Sequence, residues 1–198
     1  MASNLRYYII NKPCKVLSQY TDTAKNRGLG SIISIPKGIY SVGRLDFDSE
    51  GLLILTNDKR LNQALLNPEN KHKRTYHAEV EGIPSSSALK SLSNGLCINV
   101  NGKPYMTKKA EISALIDYQL PERIPPVNRV KHPQTSWIEL VLTEGKNRQV
   151  RKMTAKVGHP TLRLLRVAIE NLTLHQLRPG QLKVISKNVL FKKLKLHV

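Results

Sequence analysis

The chain has only two cysteines, Cys14 and Cys97, far apart and with no Cys-x-x-Cys pair. That argues against a disulfide framework and a cysteine-based zinc site; each reads as a reduced, partly buried thiol. His72, His77, His132, His159, His175 and His197 are scattered without the spacing of metal ligands. Aromatic residues make up only 5%, too few for a carbohydrate-facing surface. No apolar run approaches the roughly 20 residues that cross a bilayer. The opening MASNLRYYIINKP lacks the apolar core and small-residue cleavage site of a secretory signal, so the expectation is a cytoplasmic protein with no membrane partner. No internal repeat is visible. Acidic residues are scarce as well: 14 Asp and Glu stand against 32 Lys and Arg, a formal charge of +18.

Such an excess asks for a polyanion as partner. Nucleic acid fits better than a membrane, because the charge is not gathered on one amphipathic helix. At 198 residues the chain fits one or two domains. It can bury about 70% of the surface its unfolded form would expose. Positive charge concentrates in residues 71–74 (KHKR) and in the loop 120–136. In that loop Pro121, Pro125, Pro126 and Pro133 preclude regular structure among Arg123, Arg129 and Lys131. The loop is either a tolerated excursion or an RNA-contacting arm.

The stretch 41–58, SVGRLDFDSEGLLILTND, organises the rest. Leu52 to Leu55 form an unbroken apolar run closed by Thr56, Asn57 and Asp58, the pattern of a buried strand. The charged half, Arg44 to Glu50, is then held at the end of a core strand, good ground for a reactive group. Asp46 lies between Leu45 and Phe47 with Arg44 close by. An aspartate in partly apolar surroundings beside a cation can stay ionised and act as nucleophile or base. Asp46, Asp48, Glu50 and Gly51 imitate the start of a calcium loop, but position five carries Glu and the closing position Asn57. A salt-bridged surface turn is the plain alternative.

Around this stretch the periodicity predicts a strand over 6–10, a short element at 31–35 and a helix over 59–66. That helix is capped by Asn57 or Asp58 and stopped at Asn67-Pro68. Residues 75–81 alternate as a half-buried strand with Tyr76, Ala78 and Val80 inward. A helix over 85–93, strands at 97–100, 109–116 and 137–143, and a helix over 147–157 follow. The last carries Val150, Met153 and Val157 on its core face. A strand over 162–169 excludes a helix-turn-helix there, and Pro179-Gly180 turns into a strand at 182–185. Residues 191–197 read as a frayed basic tail or a phosphate contact. The order of elements is α+β and not a repeating βαβ pattern.

The string GRLD followed by DSEGLLILTND closely resembles the signature of the pseudouridine synthases, in the branch that modifies bacterial ribosomal RNA. Asn11-Lys12-Pro13 resembles the family's Lys-Pro opening. Arg74-Thr75-Tyr76, running into Val80-Glu81-Gly82, resembles its Lys-x-Tyr strand. The run from Glu144-Gly145 through Arg148-Gln149-Val150-Arg151 to Met153 resembles its Glu-Gly-x-x-Arg-Gln-Val-Arg-x-Met helix start. The blocks come in the family's order and span nearly the whole chain. The resemblance implies an α+β pseudouridine synthase fold, a mixed, mostly antiparallel sheet flanked by helices with an active-site cleft in its middle. It implies a catalytic domain over residues 5–188 with a basic tail over 189–198. The implied activity is isomerisation of a uridine in large-subunit (23S) rRNA, free or in a precursor particle, a reaction that needs no cofactor and no metal; a monomer is the default expectation.

Residue by residue, the resemblance makes Asp46 the catalytic aspartate, Arg44 the group that replaces the extruded base, and Tyr76 the aromatic partner of the flipped uracil. Arg151 becomes the cation paired with the aspartate and Val150 the apolar wall beside it. Lys12, Arg74, Arg148 and Lys152 are expected RNA contacts. Three features depart from the family. Most of the branch carries a small N-terminal RNA-binding domain, and here the blocks begin almost at Met1, so target choice is expected to rest on the catalytic domain's basic surface. Arg74 also replaces the usual Lys, and Lys15 stands where the family often has Gly. A non-catalytic RNA-binding protein would explain the charge but not the aspartate block. A glycoside hydrolase using Asp46 with Asp48 or Glu50 would leave the charge unexplained.

Overall fold

In the computed structural model, which describes Leu5–Leu196, the elements run β1 (Tyr7–Lys12), β2 (Tyr40–Ser41), β3 (Glu50–Thr56), α1 (Lys59–Leu66), β4 (Arg74–Glu81), α2 (Ser86–Asn94), β5 (Cys97–Val100), β6 (Lys103–Met106) and β7 (Glu111–Leu115). β8 (Thr135–Leu142), α3 (Gln149–Lys156), β9 (Thr161–Ile169), β10 (Leu172–Thr173), β11 (Leu182–Val184) and α4 (Lys187–Lys193) complete it. The chain divides into two compact units. One holds residues up to His72 with those from Arg166 onward, and the other is Lys73–Leu165. No helix among the described residues is long and apolar enough to cross a membrane.

In the first unit β3 is the axis. All seven of its residues are buried, as befits an apolar run with no solvent face. It pairs antiparallel with β1, Ile9 opposite Ile54 and Lys12 opposite Gly51, and with β2, Ser41 opposite Leu55. β1 pairs on its other edge with β11. Gly51 has φ +109, and a Cβ there would lie 2.3 Å from the Arg166 carbonyl oxygen. Only glycine allows that approach. α1 starts on Asp58, whose Oδ1 accepts the Arg60 and Leu61 amides at 3.0 and 3.3 Å while Oδ2 accepts the Tyr7 hydroxyl at 2.8 Å. The helix buries Leu61 and Leu65 and stops at Asn67-Pro68.

Two expectations about this unit are corrected. The short element at 31–35 is a single 3-10 turn at Leu29–Ser31 followed by irregular chain. Residues 191–196 are not frayed, because α4 buries Leu190 and Phe191, Leu194 just past its end is buried too, and Phe191 meets the Tyr7 ring edge-on at 6.0 Å. The Asn171 amide donates to Lys193 O at 2.9 Å, and Lys195 pairs with Glu170 at 2.8 Å. Apolar burial of three side chains outweighs the repulsion of the flanking lysines. His197 lies outside the described residues.

In the second unit β4 pairs antiparallel with β8 over its whole length, and β8 with β7. Strand alternation sends Ala78 and Val80 from β4 and Ile138, Leu140 and Leu142 from β8 into one core with Leu92 of α2, Ile98 of β5, and Val150 and Met153 of α3. α2 is capped by Ser85, whose Oγ accepts the Ala88 amide at 3.2 Å. β5 and β6 form a hairpin around Asn101-Gly102, at φ +52 and +82. The strand β6 was not expected, although Asn-Gly is the sequence signal for such a turn. α3 begins at Gln149, later than the expected 147, because Arg148 takes a left-handed conformation at φ 53. Residues 118–134 contain no helix or strand, as their prolines require.

Candidate active site

The aspartate turn of the first unit is held by the loop that follows β1. Asp46 is half-buried, and its carbonyl accepts the Ser49 amide at 3.0 Å to close the turn. Immediately before it, the buried Ser18 hydroxyl accepts from the Leu45 amide at 2.9 Å and donates to the Leu45 carbonyl at 2.7 Å. The Lys15 amide donates to Phe47 O at 2.8 Å, and the Cys14 thiol points at Asp48 O, 3.8 Å away. Leu45, Phe47 and Asp48 are thus tied from outside the turn through their backbones. A carboxylate on such a support loses little entropy on meeting a substrate.

Lys12 was expected to point from the end of β1 toward the substrate as an RNA contact, and the structure buries it. Its side chain is wholly buried and Nζ donates to Pro13 O at 2.9 Å and Val16 O at 2.7 Å. Burial brings the ammonium down from 10.5 to about 8, and nearby Cys14, Glu50, Asp48 and Asp46 pull it partly back. The lysine therefore shapes the loop that grips the aspartate turn. Lys15 sits at φ 62, which explains why glycine suits this position in the family, and its ammonium lies 5.3 Å from the Phe47 ring. Arg44 is exposed and follows Gly43, whose φ of +67 turns the chain over Leu66.

The second unit carries the other expected residues. Tyr76 on β4 stands opposite Leu140 and packs, partly buried, on the core cluster that contains Val150. Arg74 opens the same strand, half-buried. Arg151 on α3 is half-buried and its Nη1 donates to Thr161 O at 2.9 Å; Arg148 is exposed and Lys152 partly so. The approach to α3 is set by Glu144, buried, which accepts from the Tyr105 hydroxyl at 2.6 Å, the Lys108 amide at 2.9 Å and Gln149 Nε2 at 2.7 Å. Gln149 Oε1 in turn accepts the Lys146 amide at 2.9 Å. The hydrogen bond to Glu144, with burial, pushes the Tyr105 hydroxyl up to about 12.

Sequence reasoning missed the support roles of Ser18 and of Glu144 with Gln149. A lone serine in a polar stretch carries no local signal. Glu144 and Gln149 belong to a quoted motif, but their partners Tyr105 and Lys108 lie far back in the chain. Arg163 and Arg166, within the strand over 162–169, are both buried.

The first unit thus carries an aspartate turn on a fully buried strand, and the second a tyrosine strand packed on the core cluster that holds the start of a basic helix. The RNA pseudouridylate synthase family matches residues 6–156, and the chain belongs to that family. It is 44% identical over 178 residues to the ribosomal large subunit pseudouridine synthase E of Vibrio vulnificus, covering 90% of this chain and 74% of the relative. It is also 44% identical over 179 residues to the protein of the same name from Xanthomonas campestris, covering 89% and 93%. A crystal structure of a pseudouridylate synthase superposes with a TM-score of 0.78 at 23% identity, covering 96% of this chain and 74% of that one, which establishes the fold.

Proposed function

We propose that this enzyme isomerises one uridine of large-subunit (23S) ribosomal RNA to pseudouridine, with Asp46 as the catalytic carboxylate. The observation that carries the reading is the Asp46 turn: a half-buried carboxylate whose preceding residue is hydrogen-bonded through both its amide and its carbonyl. The relatives' names support the choice of RNA, and the charge of +18 suits a phosphate backbone. We read residues 5–188 as one catalytic domain acting as a cytoplasmic monomer, on free rRNA or a precursor particle.

The reaction breaks the bond between the ribose anomeric carbon and uracil N1, turns the uracil over, and joins the anomeric carbon to uracil C5. The proton on C5 leaves, N1 gains one, and no electrons are exchanged with a partner. A uridine inside folded RNA must first leave its stack, which costs a few kcal/mol. Arg44, exposed at the rim of the turn, takes its place; a guanidinium can bond both bases and phosphates. Asp46 attacks the anomeric carbon or removes a ribose proton. Tyr76 stacks on the uracil and assists loss of the C5 proton. Arg151 is the cation for the carboxylate, Val150 lines the base, and Arg74, Arg148 and Lys152 meet phosphates. Lys12 supports the aspartate turn from within.

The test is incubation with unmodified large-subunit rRNA, with pseudouridine mapped by carbodiimide-dependent reverse-transcription stops for wild type and Asp46→Asn. A new stop with wild type alone is expected. No stop on free rRNA or on precursor particles would overturn the choice of RNA, and a stop retained by Asp46→Asn would overturn the mechanism.

A further inference from the structure

The second unit contains a cavity of about 370 Å³ between the loop 118–134 and strands β4, β8 and β9, and none of the residues assigned above to the reaction lines it. Its walls combine Trp137 and Tyr118 with Arg123, Arg129 and Arg163. Tyr118 packs edge-on against Trp137 at 5.3 Å, and the Arg163 guanidinium lies 5.8 Å from the indole centroid.

The loop is no loose excursion. Arg163 Nη1 donates to Pro121 O at 2.8 Å, Arg123 Nη2 to Leu162 O at 3.4 Å, and His132 Nδ1 meets Glu81 Oε1 at 2.9 Å. The fourth tie is Arg129, which bonds the fully buried Glu79 and also donates to Thr135 Oγ1 at 3.0 Å. Only Nη1 of Arg129 makes these two bonds, and the side chain is about half exposed. One oxygen of Glu79 is buried with no hydrogen-bond partner among the described residues.

We propose that this cavity binds one unpaired nucleotide of the RNA substrate, other than the target uridine, with its base against Trp137 and Tyr118 and its phosphate on Arg129. The proposal rests on the reading of the enzyme as acting on RNA. Ring faces beside guanidinium groups are the chemistry that holds unpaired bases. A volume near the small end of ligand sites, about 300–1,000 Å³, admits one nucleotide and little more. Glu79 and Glu122 on the wall disfavour a bare anion. This subsite reads unpaired RNA outside the catalytic residues.

Trp137 is the only tryptophan in the chain, so its emission reports the cavity directly. The protein is titrated with a short unpaired oligoribonucleotide, the same sequence as a duplex, and inorganic phosphate. The unpaired RNA is expected to shift Trp137 emission saturably, the other two not at the same concentrations. Arg129→Gln leaves Glu79 buried without its cation and can unfold the loop, so the paired variant Glu79→Gln/Arg129→Gln and the separate Tyr118→Leu are used. The paired variant is expected to weaken oligonucleotide binding about tenfold and flatten its log–log salt dependence by about one. It is also expected to raise KM for the rRNA more than it lowers kcat. Wild type that isomerises rRNA while Trp137 emission ignores the unpaired RNA would overturn the subsite and leave the activity standing. Equal binding by both variants, or equal response to phosphate, would overturn it too. An emission response without any isomerisation would support the subsite and count against the proposed reaction.

Discussion

Ser18 holds Leu45 by both ends of its backbone, accepting from its amide at 2.9 Å and donating to its carbonyl at 2.7 Å, one residue before Asp46. Both groups are buried, so nothing else satisfies Leu45 if the hydroxyl is lost. Ser18→Ala is expected to cost about 1–3 kcal/mol of stability in urea unfolding. The loosened turn should also lower kcat about tenfold with a smaller change in KM. Unchanged kcat would remove Ser18 from the support of the turn.

Gly51 faces the Arg166 backbone with no room for a methyl group. Gly51→Ala would push β3 from the last residues of β9 and strain a backbone at φ +109. A loss above about 4 kcal/mol, or insoluble protein, is expected. Circular dichroism and urea unfolding of the purified variant check it.

Lys12 makes stability depend on pH in an unusual direction. Its ammonium loses protons near 8 in the folded chain and near 10.5 when unfolded, so between those values the unfolded chain binds more protons. The cost of burying the charge is present in full below about pH 8 and is relieved as pH rises to 10.5. Relative to Lys12→Met, wild type should gain up to about 3 kcal/mol across that window. Parallel urea unfolding series from pH 7 to 10.5 read the difference; a gap that does not move would contradict the buried ammonium.

Glu144 is the shared acceptor of Tyr105, Lys108 and Gln149. Glu144→Ala is expected to cost about 2–4 kcal/mol, since three donors lose a charged partner. Among the seven tyrosines, Tyr105 should then ionise nearer 10 than 12, adding tyrosinate absorbance around pH 11. A spectrum at that pH matching wild type would refute the assignment.

How far the sequence carries depends on the range of the interaction. The apolar run of β3, the Asp58 cap and Asn67-Pro68 stop of α1, and the alternation of β4 are local patterns, and each formed where local patterning put it. The motif blocks were legible for the same reason: a family signature is a string of neighbours. The Asn101-Gly102 turn was equally local and was simply not read.

What the tertiary structure decided is which polar groups are inside. Lys12, Ser18, Glu79, Arg163 and Arg166 have the residue types of a surface, and all are buried. Ser18 is answered 27 residues away by Leu45, and Arg166 is answered 114 residues away by Leu52. A buried donor is tolerable only when an acceptor arrives to meet it. Periodicity reports which face of an element is apolar, and it is silent on where a distant carbonyl will be. The sequence by itself determined β1, β3, β4, β8, α1, α2 and the family; the chain's closure on itself decided that a lysine and a serine would support the aspartate turn.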